Sequence, residues 1–232
     1  MIAEGFVQAF QLLASFDPEV RSVLQMTIHV SGTATVCSVV LGAPLGIWLA
    51  LREFRGKQFF SGVLNFGMGL PPVVIGLFVS LILWRYGPLG DLGLMYTPTA
   101  MIIAQTIIAA PIIAGLSFAA ILGINPKLRL QLISLGATPW QASRLLIREA
   151  RMGLMAAVIA GFGRVISEVG ASMMVGGNIK GQTRVLTTAT VMEVGKGNYE
   201  TAAATSIILL VGAFAVVMLL TWLQHGGKSE RT

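Results

Sequence analysis

Residues 125–151, NPKLRLQLISLGATPWQASRLLIREAR, form a basic, polar-studded island between two apolar stretches. The flanking stretches, residues 98–122 and 152–175, each match the roughly 20 apolar residues needed to cross a hydrocarbon core. Within the island, Asn125-Pro126 is a helix entry, and Leu128, Leu130, Leu132, Ile133 and Leu135 give one apolar side until Gly136 breaks the pattern. Thr138 caps a second short helix that starts at Pro139 and places Trp140, Leu145 and Leu146 on its apolar side. The island therefore predicts helix, turn, helix. Its apex, Gly136 to Trp140, is a compact knob with small residues for close approach and one aromatic anchor of the kind that dominates interfaces.

Composition agrees with a chain that lives in a bilayer. Hydrophobic residues make up 55% of the 232 and charged residues only 11%, where soluble domains carry roughly 25% charge. The chain suffices for one transmembrane domain over residues 1–232 and leaves little for a soluble one. The net charge of +6 arises in short loops beside apolar spans, where topology explains it, so nucleic acid is not an expected partner. Cys37, the single cysteine, has no disulfide partner and reads as a small buried residue; the N-terminus, lacking an early basic residue, is expected to be retained.

Working outward, residues 1–20 place Ile2, Phe6, Phe10 and Leu13 at helical spacing among polar residues, which suits an interfacial amphipathic helix. Five spans follow, at about 22–51, 59–84, 98–122, 152–175 and 201–223, with a polar loop over 176–200. Gly69-Leu70-Pro71-Pro72 breaks or kinks the second span and Pro111 interrupts the third. The expected fold is an all-α membrane protein of five transmembrane helices with the helix-turn-helix island between the third and fourth and an N-terminal amphipathic helix. Arg52, Arg55, Lys57, Lys127, Arg129, Arg144, Arg148, Arg151, Lys228 and Arg231 fall on one side, ten residues against Arg21, Arg85, Lys180, Arg184 and Lys196 on the other. That bias puts the N-terminus outside and the island and C-terminus in the cytoplasm.

The island resembles the cytoplasmic EAA loop of permease subunits from ATP-binding-cassette importers, aligned on Gly136, with Leu130-Gln131-Leu132 in place of Glu-Ala-Ala. The likeness continues through Gly161 to Ser172 (GFGRVISEVGAS) and Gly177 to Arg184 (GNIKGQTR). It is similar to molybdate and tungstate permeases, most of all the tungstate ones, from about residue 20 onward. The resemblance implies a type I importer permease fold, a homodimer in a prokaryotic inner membrane, two cytoplasmic ATPase subunits that hold ATP and Mg, and an extracytoplasmic oxyanion-binding protein. No cofactor is implied in this chain itself. By the same analogy Ser134, Leu135, Gly136, Ala137, Thr138, Pro139, Trp140 and Ser143 form the coupling helix.

The remaining polar residues are candidates for the translocation path or its gate: Pro71, Pro72, Arg164, Ser167, Glu168 and Ser172. Arg164 and Glu168 are four apart, so in a continuous helix they share a face and neutralise each other where an isolated charge is costly. They serve either as a structural pair or with Arg164 drawing an anion. Hydroxyls of Ser167, Ser172, Thr183, Thr187 and Thr188 offer hydrogen bonds to a tetrahedral dianion, and Lys180, Arg184 and Lys196 are either solvated charges or aids to oxyanion capture. His29, expected to be buried in the first span, is assigned no chemistry. The tail Gly226-Gly227-Lys228-Ser229 imitates a phosphate-binding loop but has Trp222 where that loop needs glycine. No nucleophile and base pair stands on a soluble scaffold, so energy must come from a partner chain. The rival readings are an ion-coupled secondary transporter, disfavoured by five spans and the single compensated Glu168, and a non-transporting membrane anchor.

Overall fold

The computed structural model describes residues 18–226. Most of the amphipathic segment expected over 1–20, and the tail beyond Gly226, thus lie outside the described residues; residues 18–20 open the first long helix. The elements are α1 Pro18–Leu51, α2 Lys57–Met68, α3 Pro72–Leu83, a 3₁₀ turn Gly90–Leu92, α4 Pro98–Leu122, α5 Pro126–Ser134, α6 Pro139–Glu149, α7 Arg151–Ile166, α8 Gly170–Gly176, α9 Leu186–Gly195 and α10 Tyr199–Gly226. Helices satisfy their own backbone hydrogen bonds, which a hydrocarbon environment demands. The sequence marks several starts directly. Pro72, Pro98, Pro126 and Pro139 open their helices, and the Thr97, Asn125 and Thr138 side chains accept from Ala100, Lys127 and Gln141 N–H groups.

Helices α1, α4 and α10 are each long and apolar enough to cross a membrane, while α2 with α3 and α7 with α8 reach that standard as bent pairs. The five spans expected are these five units. The outward faces carry Val36, Val40, Phe66, Phe78, Phe214 and Trp222 exposed, an apolar coat that suits lipid or another subunit and not water.

Helix α4 is the axis of the bundle, contacted by α1, α2, α3, α7 and α8. Its approach to α1 is set by small residues: a Cβ on Gly42 would fall 2.5 Å from the Ala110 carbonyl oxygen, and one on Gly46 only 2.1 Å from that of Ala114. Two small-residue pairs one turn apart let the backbones touch, as membrane helices do in place of a hydrophobic driving force. The main core layer joins Val30, Val79, Leu83, Met101, Ala104, Ile108, Ala171 and Val175 from four helices. Pro111 does not interrupt the third span as expected. Helix α4 runs through it, and the ring sits where Gly67 of α2 has no side chain, a site that a Cβ would crowd at 2.8 Å.

The second span breaks at the predicted motif, with its halves bent by 94°. Gly69 and Leu70 N–H groups close α2 on Phe66 and Gly67 carbonyls, and Val74 N–H opens α3 on the Pro71 carbonyl. The break therefore strands few donors, Pro71 and Pro72 having none. The fourth span, expected to be continuous, is also broken, between Ile166 and Gly170, with a 57° bend. The supposed loop 176–200 contains α9, which packs on α10 and is tied to α1 by Leu186 N–H donating to the Thr27 hydroxyl at 2.9 Å. His29 is exposed on α1, on the side opposite buried Val23, Thr27, Val30 and Ser31, and Cys37 is only half-buried.

Candidate coupling and translocation sites

The island folds as two helices about a tight turn, α5 and α6. Helix α5 ends in a Schellman motif: Gly136 N–H donates to the Ile133 carbonyl and Ala137 N–H to that of Leu132, both at 3.0 Å. That closure needs a left-handed residue, and Gly136 supplies it with φ +82°. The glycine on which the family resemblance centres is thus required by the backbone. Two residues later Thr138 and Gln141 cap α6 reciprocally, Thr138 N–H donating to Gln141 Oε1 at 2.9 Å and Gln141 N–H to Thr138 Oγ1 at 3.3 Å. Ser134 to Ser143 is accordingly not one coupling helix. It comprises the end of α5, a turn and the first turn of α6.

The turn presents Leu135 at 84% exposure and Trp140 at 76%, with Leu130 and Ile133 also exposed beside them. Trp140 and Leu146 do not share a side as expected. Ala142 and Leu146 are buried against the bundle, whereas Trp140 points away from it. The six steps from Trp140 to Leu146 turn the helix through about 600°, which puts the two on different faces, so a helix read as one apolar side carries two: an inner anchor and an outer face. A groove of about 210 Å³ lined by Ala50, Ile121, Asn125, Arg129 and Leu146 marks where the island meets the ends of α1 and α4. Glu53 in the preceding short loop pairs with Lys57 at 2.8 Å, and that hydrogen bond, with a weaker contribution from Arg129, holds its carboxyl below the usual range. Lys57 also donates to the Ala50 carbonyl at 3.1 Å, closing the end of α1.

At the other end of α7 lies the second break. Its Glu168 carboxylate is nearly buried. Oε1 accepts from Ala171 N–H at 2.9 Å, which caps α8, while Oε2 lies 3.5 Å from Nη1 of Arg164. The Glu168 carbonyl accepts from the Thr187 hydroxyl at 3.0 Å. Although the helix ends between them, the two charges still meet. Exposed Ser167 turns its hydroxyl back to the Gly163 carbonyl at 2.8 Å, a local bond typical of serine at a helix end.

The two breaks lie side by side. A Cβ on Gly76 of α3 would fall 2.7 Å from Ala171 Cα, and one on Gly170 would fall 2.9 Å from Val73 Cγ2. Pro71 and Ser167 are both exposed at this junction. Ser172 is not. It is fully buried and accepts from Gln105 Nε2 of α4 at 2.9 Å, a polar link that sequence reasoning missed because Gln105 stands alone in an apolar run.

The outer hydroxyls and cations are likewise engaged with the protein. The Thr183 hydroxyl donates to the Gly176 carbonyl and accepts from Ile179 N–H, and Thr188 bonds at the start of α9. Lys180 and Arg184 both pair with Glu19, at 2.6 and 3.0 Å, and Lys196 pairs with Glu193 at 2.8 Å. The cavity of about 310 Å³ at this end is lined by Glu19, Arg184 and Glu193 among apolar residues, its carboxylates held by Lys180, Arg184 and Lys196. Among the described residues no group of three or more histidine, cysteine or acidic side chains is placed to hold a metal ion.

Residues 42–226 match the model of the binding-protein-dependent transport system inner membrane component family. The chain is 44% identical over 226 residues to the tungstate uptake system permease protein TupB of Peptoclostridium acidaminophilum, covering 97% of this chain and 98% of the relative. It is 35% identical over 231 residues to TupB of Campylobacter jejuni, covering 100% and 94%. Among solved structures it resembles a bacterial ABC transporter involved in import of the acidic polysaccharide alginate, with TM-score 0.71, 20% identity and coverage of 95% of this chain and 82% of that one. That likeness is one of fold, the type I importer permease architecture. The chain is a transport permease subunit, and it belongs to the family of binding-protein-dependent transport system inner membrane components.

Proposed function

We propose that this chain carries an oxyanion, tungstate before molybdate, through an ATP-binding-cassette importer, working as a homodimer with two cytoplasmic ATPase subunits and an extracytoplasmic binding protein. The observation that supports the reading most is the exposed, reciprocally capped knob Leu135 to Trp140, set on a chain 44% identical along nearly its whole length to a tungstate permease. ATP and Mg reside on the partner. The N-terminus is outside and the C-terminus cytoplasmic, in keeping with the ten-to-five distribution of basic loop residues. Transport is by alternating access. ATPase closure moves the knobs, α7 carries the displacement to the paired breaks at Pro71–Pro72 and Ser167–Glu168, and the path between subunits opens outward. Gly136 sets the turn, Leu135 and Trp140 make the contact, and Ala142 and Leu146 fix the knob to the bundle.

The test is uptake by proteoliposomes holding the permease with its ATPase and binding protein. ATP-dependent accumulation of tungstate, competed by molybdate but weakly by sulfate or phosphate, is the expected result. Uptake driven by an ion gradient without ATP would replace this reading with the secondary-transporter one, and a preference for sulfate or phosphate would overturn the substrate.

A further inference from the structure

We propose that Arg164 contacts the passing oxyanion and that Glu168 is its positioning residue, the two forming a subsite for a tetrahedral dianion beside the paired breaks. The proposal rests on the reading of this chain as an oxyanion permease. What carries it is an asymmetry within the ion pair: the Arg164 side chain is 34% exposed and that of Glu168 only 4%. Both carboxylate oxygens are committed inward, one to Ala171 N–H and one to Arg164, so the acid is withdrawn from the exposed surface.

Arg164 brings a single nitrogen, Nη1, to Glu168, at a distance longer than a good charge-assisted hydrogen bond. A guanidinium has five N–H donors in a planar fork that matches two oxygens of an oxyanion at once. Most of that fork is left for a ligand. Exposed Ser167 lies three residues away, and Val73 at the start of α3 packs on Gly170 beyond the carboxylate. The outer cations Lys180, Arg184 and Lys196 pair with Glu19 and Glu193 at the far end of the bundle's outer loop.

The experiment uses the assembled transporter in proteoliposomes and measures initial uptake of tungstate against its concentration, alongside co-purification of the ATPase. Arg164→Gln/Glu168→Gln removes both charges together and leaves no uncompensated one; it should assemble yet raise the KM about tenfold to a hundredfold, the worth of a hydrogen bond to a charged group. Arg164→Lys keeps the charge and loses the fork, and should raise KM several-fold with assembly intact. Glu168→Gln, which can still cap Ala171 but no longer orients Arg164, should raise KM without lowering the amount assembled. A wild-type KM in the double variant, with only stability reduced, overturns the subsite and leaves the permease reading standing. If the double variant does not assemble, a wild-type KM in Arg164→Lys overturns it equally. Failure of the wild-type complex to move any oxyanion would instead reject the permease reading itself.

Discussion

Trp140→Ala should uncouple this chain from its ATPase without disturbing the bundle. The indole is 76% exposed and its helix is anchored by other residues, Ala142 and Leu146, so truncation leaves the fold its own contacts. A tryptophan buries up to about 250 Å² on full docking. Covering the exposed three-quarters would remove about 190 Å² from water, which at ~25 cal/mol/Å² is at most about 5 kcal/mol. Docking covers part of that area, so a loss of at least about 2 kcal/mol, the threshold of an interface hot spot, is expected. That is roughly a 30-fold rise in Kd. The assay is ATPase binding to the detergent-purified permease, with substrate-stimulated ATP hydrolysis as a second readout. Phe214→Ala is the control, being exposed on α10 at 64% and ten residues up that helix from Gln224, where α10 meets the foot of α7. Gly136→Ala separates shape from contact: its Cβ meets nothing within 4 Å, yet φ +82° penalises any side chain by about 1–2 kcal/mol, so docking should weaken less than with Trp140→Ala. A Kd for Trp140→Ala within a factor of three of wild type would refute the assignment of the knob.

The packing of α1 on α4 predicts that Gly46→Ala lowers the melting temperature, because its Cβ would lie 2.1 Å from backbone that has no room to move. The cost should be about 1–3 kcal/mol, whereas Gly62→Ala on α2, where a Cβ meets nothing within 4 Å, should leave the melting temperature unchanged in the same scan. For the buried Gln105–Ser172 link, Ser172→Ala alone removes the acceptor of an amide whose Oε1 is already unpartnered and should cost about 1–3 kcal/mol. Adding Gln105→Leu should recover most of that stability, and a double variant worse than the single would disprove the accounting. Glu193, which accepts from Lys196 and Asn198 at 2.8 Å, has its carboxyl held below the ordinary value by those bonds. Because the folded value is the lower one, its stabilisation is complete above about pH 4.5 and is lost as pH falls through the folded value. The hydrogen-exchange protection factor at the α9–α10 turn should therefore fall on acidification in wild type and stay flat in Glu193→Gln.

The span count, the island's helix-turn-helix and the Pro71–Pro72 break were legible because proline, glycine and hydropathy act locally. Thr138 and Pro139 start α6 and Gly136 ends α5 by rules that need no tertiary context. The break at Ser167 was not legible. Arg164-Val165-Ile166-Ser167-Glu168 reads as a continuous helical turn, and what ends it lies elsewhere: Glu168 is turned to cap α8, and Thr187, 19 residues on, holds its carbonyl. Pro111 erred the other way, since a helix tolerates proline where a neighbour without a side chain, Gly67, makes room. The pairing of Lys180 and Arg184 was illegible for a third reason. Their partner Glu19 is 161 and 165 residues away in sequence, a distance at which charge pairing is invisible without the fold.

These corrections give the proposed coupling a mechanical form. Helix α6 passes into α7 through one residue, Ala150, so a push on the knob is delivered to the foot of α7 with little slack. At that foot Gly153 abuts Ala120 of α4, closely enough that a Cβ would fall 2.6 Å from the alanine's own, and Gln224 of α10 donates to the Met152 carbonyl at 2.8 Å. A foot held on two sides resists sliding and favours rocking. Arg164 stands 11 residues beyond Gly153, about 16 Å along the helix at 1.5 Å per residue. Rocking by about 10° would thus move its guanidinium about 3 Å, the width of a hydrogen bond. The break at Ser167 is where that motion can be absorbed, because the backbone there is already outside the helical ladder and α8 is held separately, by Gln105 through Ser172 and by Gly76 against Ala171. A continuous fourth span would have dragged α8 with it. The broken one lets α7 move against a fixed α8, so the ion pair that straddles the break is the element that coupling would strain first.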